Sequence, residues 1–403
     1  MSDYDDMLNA APNALEDYVT LPEVGGIRII YEGSFILNSN GRGVSLCGRV
    51  YYSFSEKIEV LFEGEADRSL YDVPSGIVDL ELRESYHGSL LIEVVSGNRL
   101  KGIVTRLESK ISHRCDKWRW CYLNGPKIHG DMVRRGRGLA WDRLVFRDGG
   151  YEIIFENKER RDSQKRHREV SYYCELSRID RSQISKEDAL SEVLLFSRFV
   201  SFFNGCEYAP FFVEGLSREQ VKYENHTLGP DSSLTGVSSW RPDLHEHDLL
   251  PLWKSFRSKR YESLDQYDVL NTAVHWYVQA NMNRGRLEGA FILGFTGLEL
   301  MSNEIVGKEL DSNKEIIEDF VTRLRLDIKM VPEDIAQTRN YLTHYKNEHR
   351  RSTYNSLTFQ EKVFRLEVVL QILELAILYW LDYKGHYADR LQQGRIKVVP
   401  WGG

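Results

Sequence analysis

Residues 174–205, "CELSRIDRSQISKEDALSEVLLFSRFVSFFNG", change their hydrophobic period partway through. The segment ending in "CELSRID" belongs to an alternating, period-two region. From Ser185 and Glu187 onward, the apolar run through Leu194, Phe199 and Phe203 follows a spacing near 3.6 and stops at Gly205. This switch divides a β-rich half from a helical half.

Upstream, "IRIIYEGSFIL", "GVSLCGRVYYSF", "KIEVLFEGEA", "GIVDLEL", "SLLIEVV" and "GIVTRLE" are rich in β-branched and aromatic residues and are separated by Gly, Ser, Asn or Asp. "WDRLVFRDGGYEIIFENKE" is the clearest hairpin, with Asp148-Gly149-Gly150 supplying a positive-φ turn. Residues 1–177 are therefore expected to form a β-rich sensing or regulatory domain of sandwich or barrel type. Residues 178–262 read as a helical connector. Residues 263–392 read as an all-α bundle, which makes the chain a multidomain α+β protein.

Five helices are expected in that bundle. Leu270, Ala273, Val274 and Tyr277 stripe the first, and Leu287, Ala290, Phe291, Gly294, Leu298 and Met301 stripe the second. The third opens on a Ser312-x-x-Glu315 capping pattern, and the fourth follows Pro332. The last, from Phe359 to about Tyr383, is apolar on two faces, so it needs cover on both: from its own bundle and from a second subunit or the β half.

Composition limits the classes of function. At 403 residues with 42% hydrophobic and 28% charged side chains, the chain is globular and long enough for two or three domains. The net charge of -7 conceals a partition: residues 101–150 carry 12 Lys/Arg against 5 Asp/Glu, and residues 51–100 carry 4 against 10. Five scattered cysteines suit reduced thiols and a cytoplasmic location. The acidic start "MSDYDDMLNA" is not a signal peptide, and "VVLQILELAILYWL" is too short for a membrane span and contains Glu374.

The chemistry-bearing candidate is "TRNYLTHY", residues 338–345. On an ideal helix Ile335, Arg339 and Leu342 share a stripe, so Arg339 stands where a core residue is expected and needs an anionic partner such as Glu299. Asn340 and His344 share the opposite side. Five residues separate Arg339 from His344, a rotation of about 140°, so either Arg339 bends round or a second copy completes the site across a dimer interface. Downstream, Tyr345, Lys346, Arg350 and Arg351 have the composition to grip a single-stranded backbone and stack a base; a solvated loop is the alternative.

A helical bundle with this Arg-Asn-x-x-x-His helix before a long apolar final helix resembles the HEPN superfamily of metal-independent ribonucleases, most closely the Apea-like branch found in bacterial anti-phage abortive-infection proteins. The resemblance rests on "LEGAFILGFTGLELMS" (287–302), "RNYLTHY" (339–345) and "FRLEVVLQILELAILYWL" (364–381). It implies Arg339 and His344 as the catalytic pair, Asn340 as their assistant and no metal or cofactor. Such an enzyme cuts RNA by 2′-hydroxyl attack, leaving 2′,3′-cyclic phosphate and 5′-hydroxyl ends. The imidazole, with an ordinary pKa near about 6.5, suits the proton transfer, and the guanidinium fork suits the growing phosphate charge. The expected partners are RNA, a second copy through the bundle, and a phage-derived trigger at the β domain; no membrane partner is expected.

Other motifs point elsewhere. "HRCDKWRWC", with His113, Cys115, Cys121 and the later His129, has a Cys-x5-Cys step that does not fit zinc-knuckle spacing. "MVRRGRGLAW" and "ERRDSQKRHREV" form a basic region that could contact nucleic acid or guard a sheet edge. The alternative to an enzyme is therefore a non-catalytic module whose bundle dimerises while the β domain binds a ligand or nucleic acid through Arg134, Arg135 and Arg137.

Overall fold

The computed structural model describes residues 7, 9–16, 18, 26–39, 42–54, 58–67, 76–82, 86–109, 114–123, 125, 130–136, 138–158, 170–226, 246–307, 312–326, 332–343, 354–392 and 395–401. The chain divides into two compact units: residues 1–194 with 208–232, and residues 195–207 with 233–403.

Among the described residues of the first unit the alternating runs form thirteen strands: β1 (Ile27–Ser39), β2 (Arg42–Phe54), β3 (Ile58–Glu65), β4 (Ile77–Leu82), β5 (Tyr86–Ser96), β6 (Arg99–Ser109), β7 (Lys117–Leu123), β8 (Asp131–Arg135), β9 (Gly138–Asp148), β10 (Tyr151–Asn157), β11 (Val170–Arg178), β12 (Phe211–Ser217) and β13 (Gln220–Asn225). They make one antiparallel sheet in the order β3-β2-β1-β4-β5-β6-β13-β12-β7-β11-β10-β9-β8. Because β3 also pairs with β6, from Leu61↔Ile103 to Glu65↔Arg99, the first six strands close on themselves. Inward-facing Phe35, Val50, Tyr52, Phe62, Leu80, Leu90 and Leu107 fill that closed part and exclude water from it. Gly88 marks a close strand approach: a Cβ there would stand 2.0 Å from the Arg106 carbonyl oxygen. The Asp148-Gly149-Gly150 turn lies between β9 and β10, with Gly149 at φ 55° and Gly150 at φ 81°, as a tight hairpin requires.

In the second unit the amphipathic segments form helices. α1 (Lys186–Asn204) begins in the first unit and ends in the second. It is followed by α2 (Glu246–Glu262), α3 (Leu264–Met282), α4 (Leu287–Val306), α5 (Asn313–Arg323), α6 (Pro332–Thr343) and α7 (Phe359–Trp380). Local sequence fixes their ends. Ser263 and Ser312 accept the backbone N–H groups of Gln266 and Glu315, Thr358 and Glu361 form a reciprocal capping box, and Gly307 ends α4 at φ 73°. α7 is buried over nearly all of Leu366–Leu378 within the single chain. Gly297 lets it approach α4, since a Cβ there would stand 2.7 Å from Leu373 Cδ2. Among the described residues, no helix is long and apolar enough to cross a membrane.

Three parts of the expected fold class are corrected. The β half is a continuous thirteen-stranded sheet rather than a two-layer sandwich or a free-standing barrel. The segment read as a helical connector contributes β12 and β13 to the middle of that sheet, where β12 pairs with β7 and β13 with β6. Those partners are about a hundred residues away in sequence, so local pattern could not show them. The C-terminal region is not an all-α bundle either: after α7 the chain forms a hairpin of β14 (His386–Asp389) and β15 (Arg395–Val398). Four-residue strands are too short for a period-two signal to emerge.

Candidate functional site

On α6, Pro332 supplies the first-turn residue, and Ile335, Ala336 and Thr338 turn inward. Arg339 stands beside this buried stripe and carries the anionic partner that its position demanded. Its Nη2 donates to Glu299 Oε1 on α4 at 3.0 Å, and its Nη1 donates to Thr343 Oγ1 at 3.3 Å. The Arg339 and Glu299 side chains are 27% and 34% exposed. Asn340 Oδ1 accepts from Asn313 Nδ2 at 3.0 Å, which ties α6 to α5. Behind this face Arg365 of α7 donates to Thr338 Oγ1 at 2.6 Å and to the Asp334 carbonyl at 2.9 Å. Arg339 and Asn340 of α6 are therefore tied to Glu299 of α4 and Asn313 of α5. His344, Tyr345, Lys346, Arg350 and Arg351 lie outside the described residues.

A more deeply buried polar cluster sits elsewhere in this unit. Arg390, in a single 3-10 turn after β14, sends Nε to Glu374 Oε2 at 3.2 Å, Nη2 to the Tyr277 hydroxyl at 2.9 Å and to Asn281 Oδ1 at 2.8 Å, and Nη1 to Glu367 Oε2 at 3.4 Å. Tyr277 also donates to Glu374 at 2.7 Å, and Arg284 pairs with Glu367. Burial pushes the Glu374 carboxyl up, while Arg390 and the Tyr277 hydroxyl pull it back. With its charges paired in place, this cluster anchors the C-terminal turn to α3 and α7.

The basic stretch on β8 is not a free cationic patch. Arg135 is 14% exposed and donates to Asp142 Oδ2 at 3.2 Å and Glu156 Oε1 at 3.0 Å; Arg143 donates through Nε to Glu156 Oε2 at 2.8 Å. Arg134 Nε donates to Asn13 Oδ1 at 2.9 Å. The backbone of residues 12–14 bonds to Arg134 and covers the outer edge of β8. Arg137 and most of the second basic run lie outside the described residues. Of the zinc candidates, Cys115 and Cys121 are buried, whereas His113 and His129 lie outside that set.

Sequence reasoning missed the groups around His226. This side chain is 5% exposed, its Nδ1 lies 2.9 Å from the Tyr52 hydroxyl, and its Nε2 has no hydrogen-bond partner among the described residues. Phe212 packs against the ring at 5.2 Å and Tyr86 at 5.8 Å; the Tyr86 hydroxyl donates to Glu224. Phe212 has φ 55°, a left-handed conformation unusual for a bulky residue, where the β12–β7 register shifts between Phe211 and Glu214. The Arg28 guanidinium lies 5.3 Å from the Phe212 ring centroid and has no ion pair among the described residues. Burial pushes the Glu214 carboxyl up to about 7, with Arg119, Arg28 and Lys117 lowering it and Glu224 raising it. Strain at a bulge beside a buried histidine that bonds through one ring nitrogen is a tertiary signal, with no counterpart in local sequence.

Burial, reinforced by the Arg28 charge, pulls the His226 imidazole down from 6.5 to about 3. The folded chain keeps this ring neutral where the unfolded chain protonates it. The unfolded state then binds more protons, and stability falls as pH drops from 6.5 towards 3. Denaturant midpoints measured near about pH 7 and about pH 4.5 should fall further for the wild type than for His226→Gln. Equal falls would contradict this assignment.

No curated protein and no solved structure matches the chain. Family models do match two stretches, and neither model is HEPN, so the Apea-like resemblance is withdrawn. An Arg-Asn-x-x-x-His step followed by an apolar helix is short enough for ordinary amphipathic helices to produce it unaided. Residues 111–228, spanning β7 to β13 with α1, are similar to the YopA central domain, and residues 306–399, spanning α5 to the β14–β15 hairpin, are similar to the YopA C-terminal domain.

Proposed function

We propose that this protein works by binding rather than by cutting, with a β unit that takes a ligand and a helical unit whose candidate residues are held in internal pairs. The observation that carries this reading is the arrangement on α6, where Arg339 is forked between Glu299 and Thr343 and Asn340 receives Asn313. A catalytic guanidinium and its helper must be free to meet a phosphate; here each has a partner within the chain. A second copy is the proposed partner of the helical unit, supported by Phe359 and Phe364 on α7, which are 69% and 40% exposed.

The second reading is a metal-independent endoribonuclease using Arg339, Asn340 and His344. It is supported by the partial exposure of the Arg339–Glu299 pair, which leaves the pair within reach of an incoming RNA phosphate. Induced expression separates the two readings. Under the binding reading, cells expressing wild type and His344→Ala grow alike. Growth arrest by wild type that His344→Ala relieves would favour the nuclease.

A further inference from the structure

Four features gather around Phe212: a His226 Nε2 with no partner among the described residues, the left-handed Phe212 itself, the β12 register shift, and the Arg28 guanidinium over the Phe212 ring. The hydrogen-bond inventory sets the histidine tautomer. Tyr52 is buried and has no other acceptor among the described residues, so its O–H donates to His226 Nδ1. The ring proton then resides on Nε2, which becomes a buried donor without an acceptor.

A second donor of like kind, Arg28, is half-buried on β1 and packs over the Phe212 ring. Tyr86 already donates to Glu224, which leaves that carboxylate partly occupied. An apolar occupant would leave the Nε2–H unsatisfied, and a cation would face the guanidinium. An acceptor oxygen bearing negative charge satisfies both donors. Glu214, whose carboxyl is pushed up to about 7 by burial, can hold a proton near neutrality and so need not oppose an anion.

Resting on the binding reading above, we infer that the β unit takes an oxyanion-bearing ligand, a carboxylate or a phosphate, between the Arg28 guanidinium and the His226 Nε2–H beside the Phe212 bulge. Arg28 supplies the charge, and His226, oriented by Tyr52, supplies the more deeply buried donor.

The test uses full-length protein labelled with 15N-histidine, the His226 resonance being identified by its loss in His226→Gln. Inorganic phosphate, acetate and, as an ionic-strength control, chloride are titrated in separate arms. The His226 Nε2 signal is expected to shift saturably with phosphate or acetate and not with chloride, and the saturating arm identifies the oxyanion. Arg28→Gln is expected to weaken that binding roughly tenfold or more, with Arg28→Lys retaining part of it. No saturable shift with either oxyanion, or an undiminished one in Arg28→Gln, overturns the site. The two readings fail separately: RNA cleavage by this protein would remove the binding-only reading without altering the titration, and a flat titration would remove this site without making the protein a nuclease.

Discussion

Arg390→Ala is expected to destabilise the helical unit by about 3–5 kcal/mol, among the largest effects of any single substitution in the chain. The arginine is 3% exposed, and Glu374 opposite it is 0% exposed. Among the described residues, truncation leaves the Glu374 carboxylate with only the Tyr277 hydroxyl at 2.7 Å, while its Oε1 already lacks a partner there. It also releases the Arg284–Glu367 pair and the Asn281 amide from their shared cation. Glu374→Gln should cost less, because an amide still meets Tyr277 and Arg390 keeps Glu367 at 3.4 Å. Denaturant unfolding followed by the far-ultraviolet helix signal measures both. A loss below roughly 1 kcal/mol for Arg390→Ala would mean that the cluster is not an anchor.

Charge reversal at Arg135 is expected to unfold the β unit rather than to abolish binding selectively. Arg135→Glu places a third carboxyl beside Asp142 and Glu156, the latter 1% exposed, and leaves Arg143 as the cation facing Glu156. A cost of about 3–5 kcal/mol follows from an uncompensated buried charge alone. Arg147→Glu on β9 is the comparison, since Arg147 is 66% exposed and its pair with Glu152 is of the surface kind, with a contribution of about 0.2–1 kcal/mol. If Arg135→Glu kept the wild-type unfolding midpoint, the side chain would be a surface cation after all, and the β8 stretch could serve as a nucleic-acid contact.

The features legible in the sequence were those set by neighbours along the chain. The change of period in residues 174–205 falls between the end of β11 at Arg178 and the start of α1 at Lys186. The Asp148-Gly149-Gly150 turn, the Ser312 cap and the Pro332 helix start are likewise local. The need of Arg339 for Glu299 was readable because a cation beside an apolar stripe has few alternatives.

Features built from distant segments were not legible. The β3–β6 closure, the insertion of β12 and β13, and the Arg390 cluster, whose Tyr277 and Asn281 partners lie more than a hundred residues away, leave no local period. His226 reads in sequence as one of 11 histidines in a polar run, and only folding gives it Tyr52, Phe212 and Arg28 as neighbours. The basic surplus of residues 101–150 was readable as composition. Within it Arg135 is paired with Asp142 and Glu156 from neighbouring strands, which a charge count cannot show.

Binding without cleavage is tested most directly by incubating the purified full-length chain with RNA in EDTA and sequencing the RNA ends, with Arg339→Ala and His344→Ala alongside. The expected result is intact RNA in all three. Fragments ending in 2′,3′-cyclic phosphate from the wild type, absent with either variant, would contradict it.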